Sequence, residues 1–587
     1  MTTGRSALTG RDPGAVPRGS TPFRPSSTST AEPLNAIERK QLSRFRRWGT
    51  VGALLLMLGT GSSYGAATPI PNPVDGLRVI GLLSRIGPAA LACSYAGIGL
   101  VVLSWVLIGR LAAPGRVRRL SRSQLSHTLA MWAVPLLVTP PLFSRDVYSY
   151  LAIGSMMVHG FNPYESGPYD TLGDADPYAH QVDVRWQHTA SPYGPVYLLI
   201  AQAVVRVAGD NIVVGTLLQR LVELIGVALI VWALPRLARI CGFDPVAALW
   251  LGALNPLVLF HLIGGGHNEA LMLGAMLAGI VIAWEWSLVG GVVLITVGVG
   301  IKATAGMALA FLVIMLALRA GGRWRDLLRC GVQVAAVAAG TFVIFTWLAG
   351  VGVGWLAALS APGTVRSFLS ASTALGVVAG EAGLLLGLGD HIQAALDVMQ
   401  PVGTVIGSAI ALVIMWQCWQ RRINPVLGLG MAMGAFVLLA PVIQPWYLLW
   451  AALPLAASTA DPRYRKATIW LTVLFSVTIM PNGATIPVYV IVQAVVVAAV
   501  VVGGVFYSLR RSGLPQTHPL VGVERDVGPP VAGDADPEPA GGFLQTAGPI
   551  TTHPGSPTAT PSAAEPADTN ATAADAGSAD SATYPRS

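Results

Sequence analysis

Apolar runs close to 20 residues long recur from about residue 48 to about residue 508, and they constrain the fold more than any motif does. A helix needs about 20 apolar residues to cross the hydrocarbon core of a bilayer, and within that core its backbone polar groups must be satisfied internally. Of the 587 residues, 53% are hydrophobic and only 11% charged, with a mean hydropathy of +0.60. A soluble globular domain carries about 25% charged residues. The runs therefore read as membrane helices, and the fold class expected is an all-α multi-spanning membrane protein. The candidate spans are roughly 48–67, 88–109, 127–143, 213–236, 246–263, 269–286, 288–301, 303–319, 331–350, 399–419, 424–442, 447–459, 467–480 and 485–508, which gives about 13–14 transmembrane helices.

Basic residues orient these spans. They cluster at 39–47, 110–122, Arg236/Arg239, 318–329, Arg421/Arg422, 463–466 and Arg510/Arg511. Counting positive charge as cytoplasmic puts every cluster on one side, with both termini cytoplasmic. Two ambiguities yield to this parity. Residues 194–209 cannot cross without forcing Arg236 and Arg239 outside, so they are expected to form an amphipathic helix at the outer interface, within one external loop of 144–212. Residues 288–319 are too long for one helix with both flanks inside. Two short helices meeting near Lys302 solve this, placing Lys302 at or below the outer surface.

The net charge of +8 does not imply nucleic acid, since most cations sit at span ends. Cys93, Cys241, Cys330 and Cys418 are far apart, with no metal or disulfide spacing. Residues 1–37 and 512–587 are rich in small polar residues and Pro, the latter with nine acids against Arg525 and Arg586. Both are expected to be disordered cytoplasmic tails flanking a catalytic domain at 38–511.

The same parity gathers the unusual polar residues on the external face. Ser144-Arg145-Asp146-Val147-Tyr148 puts a carboxylate, a guanidinium and a phenol where a helix meets water, a costly arrangement near a bilayer without a function or partner. Asp146 fits a general base, since glycosyl transfer with inversion needs a carboxylate to take the acceptor hydroxyl proton. An N-cap carboxylate is the structural alternative. Arg145, Tyr148 and Glu165 are expected to contact substrate. Asp174 and Asp176 resemble a metal-binding Asp-x-Asp but read better as a turn with solvated acids. In Gly264-Gly265-Gly266-His267-Asn268-Glu269, the glycines let backbone approach a ligand, and His267 and Glu269 could touch it. Lys302 and Arg366 are candidate phosphate cations, and Gln444, Trp446 and Tyr447 a candidate sugar-stacking site.

Together, SRDVYSY at 144–150, FNPY at 161–164, SPYGPVY at 191–197, GGGHNEA at 264–270, GIKATAG at 300–306 and QPWYLLWAALPL at 444–455 resemble the GT-C glycosyltransferases. Within that architecture they look most like the actinobacterial polyprenol-phosphomannose-dependent α-1,6-mannosyltransferases of the lipomannan and lipoarabinomannan backbone. The resemblance covers roughly residues 45–510. It implies external juxtamembrane helices, a plasma-membrane location, a β-linked polyprenyl-phosphate-mannose donor, a lipid-linked mannoside acceptor, and inversion with Asp146 as base. A monophosphate leaving group can be neutralised by cations alone, so no cofactor is expected and a divalent metal is not required. Alternatives are a lipid-linked-sugar flippase, which should carry intramembrane charges in both halves, or an arabinosyl- or α-1,2-mannosyl-transferase of the same architecture.

Overall fold

The computed structural model describes residues 32–78, 80–358, 367, 369–478, 480–513 and 520. Most of both expected tails, and the phosphate candidate Arg366, lie outside the described residues. Among the described residues the chain is helical apart from a two-residue parallel pairing of β1 (Glu32–Pro33) with β2 (Arg118–Arg119).

Helix α1 (Ala36–Gly59) begins well before the apolar run at 48, because Asn35 and Glu38 close a reciprocal capping box on its first turn. It therefore carries the 39–47 basic cluster on helix rather than on tail. Helices α2 (Gly87–Ala112) and α3 (Arg122–Leu136) follow. The segment expected to be one loop then holds α4 (Asp146–Val158), α5 (Pro168–Leu172) and α6 (Pro195–Ala208). Helix α6 buries Tyr197, Leu198, Ala201 and Val205 and leaves Val207 exposed, a one-sided pattern. Helix α7 (Ile212–Ile240) is capped by Asn211, and α8 (Pro245–Leu251) by Asp244 with Pro245 at its first position.

The span expected at 246–263 is not continuous. Asn255 donates to the Leu251 carbonyl and to Thr472 and accepts from the Leu257 amide, so it competes with the helical ladder. The chain resumes as a π-helical turn, Val258–Gly264, and bends by 110° into α9 (Glu269–Glu285). Helix α10 (Leu288–Ile301), a 3-10 turn (Ala303–Gly306) and α11 (Met307–Ala320) form the two-part element expected around Lys302. Helix α12 (Trp324–Ala349) and a short α13 (Trp355–Ala358) lead on. Residues 371–398, for which hydropathy gives no span, hold α14 (Ala371–Leu385) and the first turns of α15 (Ile392–Trp419). Helices α16 (Pro425–Leu439), α17 (Leu448–Ser458), α18 (Pro462–Thr478) and α19 (Val488–Arg511) complete the fold.

Among the described residues six helical segments are long and apolar enough to cross a membrane by themselves, or seven counting the bent pair. Most other expected spans are the shorter helices. At 1.5 Å per residue, α10 and α16 reach only about 20 Å, less than the ~30 Å hydrocarbon core. Helices that stop short of a membrane face leave a recess, and irregular backbone is tolerated there only if protein or water satisfies it.

The recess is braced from behind. Helices α7 and α9 pack so closely that a Cβ on Gly226 would collide with the Ala270 backbone. Arg220 of α7, fully enclosed, donates to the carbonyls of Ile263 (3.0 Å), Gly264 (2.9 Å) and Leu137 (2.7 Å). One side chain thereby satisfies carbonyls freed where the π turn and α3 end.

Candidate active site

Five interruptions of helical structure meet at one end of the bundle: Phe143–Arg145 before α4, Gly265–Asn268 before α9, Lys302, Pro441–Tyr447 before α17, and the 480–483 turn. Together with α15, α16 and the loop before α6, four of them enclose a cavity of about 890 Å³. The fifth, at Gly265–Asn268, lies behind it.

Asp146 faces this cavity. The chain reaches it through Phe143, whose φ of 67° is left-handed for a non-glycine residue and costs on the order of 1–3 kcal/mol. Its amide bonds the Pro481 carbonyl at 2.6 Å and its ring lies 4.8 Å from that of His261. Asp146 is the first residue of α4 rather than its cap, and its own amide donates to Ser144 Oγ at 2.9 Å. The carboxylate is thus not used in capping. Its side chain is 22% exposed, with His267 Nδ1 at 3.4 Å from Oδ2. Burial works against the charged form, but the His267 ring, the Ser144 hydroxyl and the Lys302 charge outweigh it and hold the carboxyl below its ordinary pKa.

Lys302 also lines the cavity. Its Nζ is ion-paired with Glu269, donates to Tyr447 Oη at 3.3 Å, and lies 4.6 Å and 5.5 Å from the ring centres of Tyr447 and Trp450. Glu269, the first residue of α9, is buried and does not line the cavity. The cation is therefore held by a partner that the sequence reading placed beside substrate instead. His267 is likewise fully enclosed behind Asp146 and does not reach the cavity. Gln444, Trp446 and Tyr447 do line it.

Three expected substrate contacts point elsewhere. Arg145 donates to Thr68 and Gln181 carbonyls and to the Gln181 side chain, tying the segment after α1 to the 144–212 loop. Tyr148 is fully buried, with its hydroxyl on the Ala67 carbonyl at 2.7 Å. Glu165 is exposed and accepts from Asn162. None of the three lines the cavity. Asp176 accepts from the Tyr178 and Ala179 amides and from Ser155, while Asp174 pairs with His180, as a structured turn requires. Among the described residues no three His, Cys, Asp or Glu side chains converge as a metal would need.

Arg185, Trp186 and Tyr193 belong to the run 161–193, whose acids and aromatics suit polyol binding, though none of the three is among the residues expected to contact substrate; they bring the 144–212 loop onto the cavity. Arg185 is paired twice with Asp183, at 2.8 and 2.9 Å. Burial disfavours the Asp183 carboxylate, but the paired guanidinium prevails and lowers its pKa. An Asp-x-Arg in a polar loop gives no signal that separates it from a solvated pair. The face from α15 and α16 is mostly apolar, with Pro401, Val405, Phe436, Val437 and the following Val442, and Gln400 and Thr404 as its polar members. Asp146, Arg185 and Lys302 are the charged members of the described lining, and all belong to the first half of the chain. One compartment thus offers an anion, two cations and an extended apolar surface, which suits a reaction between a hydroxyl and a charged amphiphile.

The family model "Alpha-(1->6)-mannopyranosyltransferase, N-terminal domain" matches residues 46–318, and "MptB C-terminal domain" matches 372–507. A probable alpha-(1->6)-mannopyranosyltransferase of Mycolicibacterium smegmatis is 40% identical over 503 residues, covering 81% of this chain and 89% of the relative. Alpha-(1->6)-mannopyranosyltransferase B of Corynebacterium glutamicum is 34% identical, over 77% and 80%. Alpha-(1->6)-mannopyranosyltransferase A of Mycobacterium tuberculosis is 36% identical, over 75% and 84%. No solved structure matches the chain. The fold, the membrane character and these relatives agree: the chain belongs to the alpha-(1->6)-mannopyranosyltransferase family and is a membrane mannosyltransferase.

Proposed function

We propose that the chain transfers mannose from polyprenyl-phosphate-mannose to a mannoside acceptor, forming α-1,6 linkages of a lipomannan-type backbone with inversion at the anomeric carbon. The observation that carries this reading is the make-up of the cavity lining: a carboxylate and two cations from the first half of the chain, and a mostly apolar face from α15 and α16. A nucleotide sugar has no use for such a wall, whereas a prenyl chain gains about 25 cal/mol for each Å² it buries.

In the reaction, Asp146 takes the proton of the acceptor 6-hydroxyl as that oxygen attacks the anomeric carbon. The bond from that carbon to the phosphate oxygen breaks, and its electron pair leaves with polyprenyl phosphate. The phosphate gains one negative charge in this step, and Lys302 and Arg185 stand where they can offset it without a metal. Arg366, the other expected phosphate cation, remains a candidate for the same role. The basic clusters support an external cavity with both termini cytoplasmic. Asp170→Cys and Val207→Cys should then react with an impermeant thiol reagent applied outside, and Arg118→Cys should not. Modification of the Val207→Cys protein only from the cytoplasm would reverse the orientation of α6 and remove the external loop.

The direct test supplies membranes containing the enzyme with radiolabelled mannosyl-phosphopolyprenol and short α-1,6-mannosides, followed by linkage analysis. New α-1,6 product from the lipid donor is expected. Transfer from a nucleotide-mannose in the absence of lipid donor, or a different linkage, would overturn the reading.

A further inference from the structure

His267 has no exposed surface and no access to the cavity, yet it is 3.4 Å from Asp146, the carboxylate among the described residues that line it. That separation is longer than a good hydrogen bond, but catalytic hydrogen bonds are often long before substrate arrives and tighten in the complex. Among the described residues neither ring nitrogen has another polar partner. The ring stacks on Trp446, with centroids 3.8 Å apart and planes 26° apart, and His261 lies beyond it at 5.9 Å. The backbone that delivers it is tailored. Gly266 has φ of 63°, and a Cβ on Gly265 would meet His267 Cδ2 at 2.8 Å. A histidine buried at the cost of an unmet ring nitrogen and aimed at a carboxylate is more than the Gly-rich turn needs for itself.

We propose that His267 is a positioning residue for the base: its Nδ1–H holds Asp146 Oδ2 and leaves Oδ1 to face the acceptor hydroxyl. This rests on the reading of Asp146 as the base. Trp446 acts as the plate against which the ring is fixed, so the face turned to His267 is not available to a sugar. The ring also favours the ionised carboxylate, which the base must be before each transfer.

The other groups around the pair are known. Asp146 is also faced by Lys302, by Arg185 and Asp183 of the 144–212 loop, and by Tyr150, Tyr193, Tyr197 and Tyr447. His267 is faced by His261, with Glu269 two residues on. The tyrosines titrate far above the acid range, and the cations remain charged through it. Activity is lost as pH falls through the pKa of the base. Removing a donor to the carboxylate raises that pKa, so the acid limb must move to higher pH.

The test compares pH profiles of kcat/KM for the full-length enzyme, with the lipid donor and an α-1,6-mannoside. His267→Phe keeps the stack and removes the donor. We expect kcat to fall about 10–100-fold, both KM values to stay within about two-fold, and the acid limb to rise by about one pH unit. His267→Asn, which retains an N–H, should return the limb towards wild type. An unmoved acid limb in His267→Phe, or a change confined to KM, would overturn the proposal. If that variant fails to insert, Trp446→Leu loosens the ring without removing it and should raise the limb by a smaller amount; an unmoved limb there would be equally fatal. Measuring Asp146→Asn alongside separates the two ideas. An active Asp146→Asn enzyme removes the base, while an inactive one beside a normal His267→Phe profile removes only the positioning role.

Discussion

The two halves of the bundle are packed differently. In the first, 78% of the apolar window of α2 and 44% of that of α7 are inside the protein; in the second, the figures are 28% for α15 and 22% for α19. The division follows the two matched regions, 46–318 and 372–507. All charged lining residues described come from the first half, and the apolar wall comes from the second. Chemistry that depends on sub-ångström placement needs a shell locked by packing, whereas a surface for a hydrocarbon chain need only be apolar and continuous. The second half also presents exposed apolar side chains such as Leu412, Val496 and Val500 outward, as lipid contact would favour.

This contrast makes graded predictions. The largest effect belongs to the locked half: Asp146→Asn should lower kcat about 10²–10⁴-fold while the protein still folds and inserts. Residual turnover above roughly a tenth of wild type would show that the carboxylate is not the base.

Lys302→Ala comes next. Loss of a charged contact to a developing phosphate should cost about 100-fold, expressed in donor KM or in kcat, with acceptor KM steady. It also strands the buried Glu269 carboxylate, which costs about 3–5 kcal/mol of stability. The pair Lys302→Met with Glu269→Gln should therefore recover thermal stability but not transfer. Recovery of both would make the lysine a purely structural counter-ion.

In the tolerant half, Phe436→Ala should raise the KM for a long-chain donor about 10-fold, the worth of one buried aromatic side chain, and leave kcat unchanged. A short-chain mannosyl phosphate should not distinguish this variant from wild type. If it does, the α15–α16 wall contacts the sugar and the assignment of the halves is reversed. The smallest expected effect is that of EDTA, which should leave activity within about two-fold if cations alone serve the phosphate. Strict dependence on Mn²⁺ or Mg²⁺ would break that account.

Much of this organisation is legible in the sequence where one physical rule acts locally. Charge parity finds the helix break at Lys302, because a misplaced basic cluster is costly wherever it sits, and the segment it keeps out of the membrane forms the 14-residue α6. The Gly-rich run before His267 announces a turn. Less legible is what depends on meeting across distance. Arg145 and Tyr148 flank Asp146 in sequence, yet the helix turns them towards Ala67, Thr68 and Gln181. Arg185 and Trp186 reach the cavity from a loop whose acids and aromatics suit a polyol, but its composition does not say which of its side chains turn inward. Glu269 is legible as polar but not as the partner of a lysine 33 residues on, since hydropathy carries no pairing information. Helix α14 escapes notice because Glu381 and its many small residues interrupt the apolar run.

The shared lysine has a consequence for turnover. In the proposed reaction Lys302 divides its charge between Glu269, its partner in the structure, and the phosphate of the lipid. An arriving phosphodiester carries one negative charge; the phosphomonoester it becomes carries about 1.5 to 2 near neutral pH. The spent carrier therefore draws the ammonium from Glu269 more strongly than the loaded carrier does. A site wired this way grips its used lipid harder than its fresh one, which implies a cycle paced by carrier departure and sensitive to free polyprenyl phosphate in the surrounding leaflet.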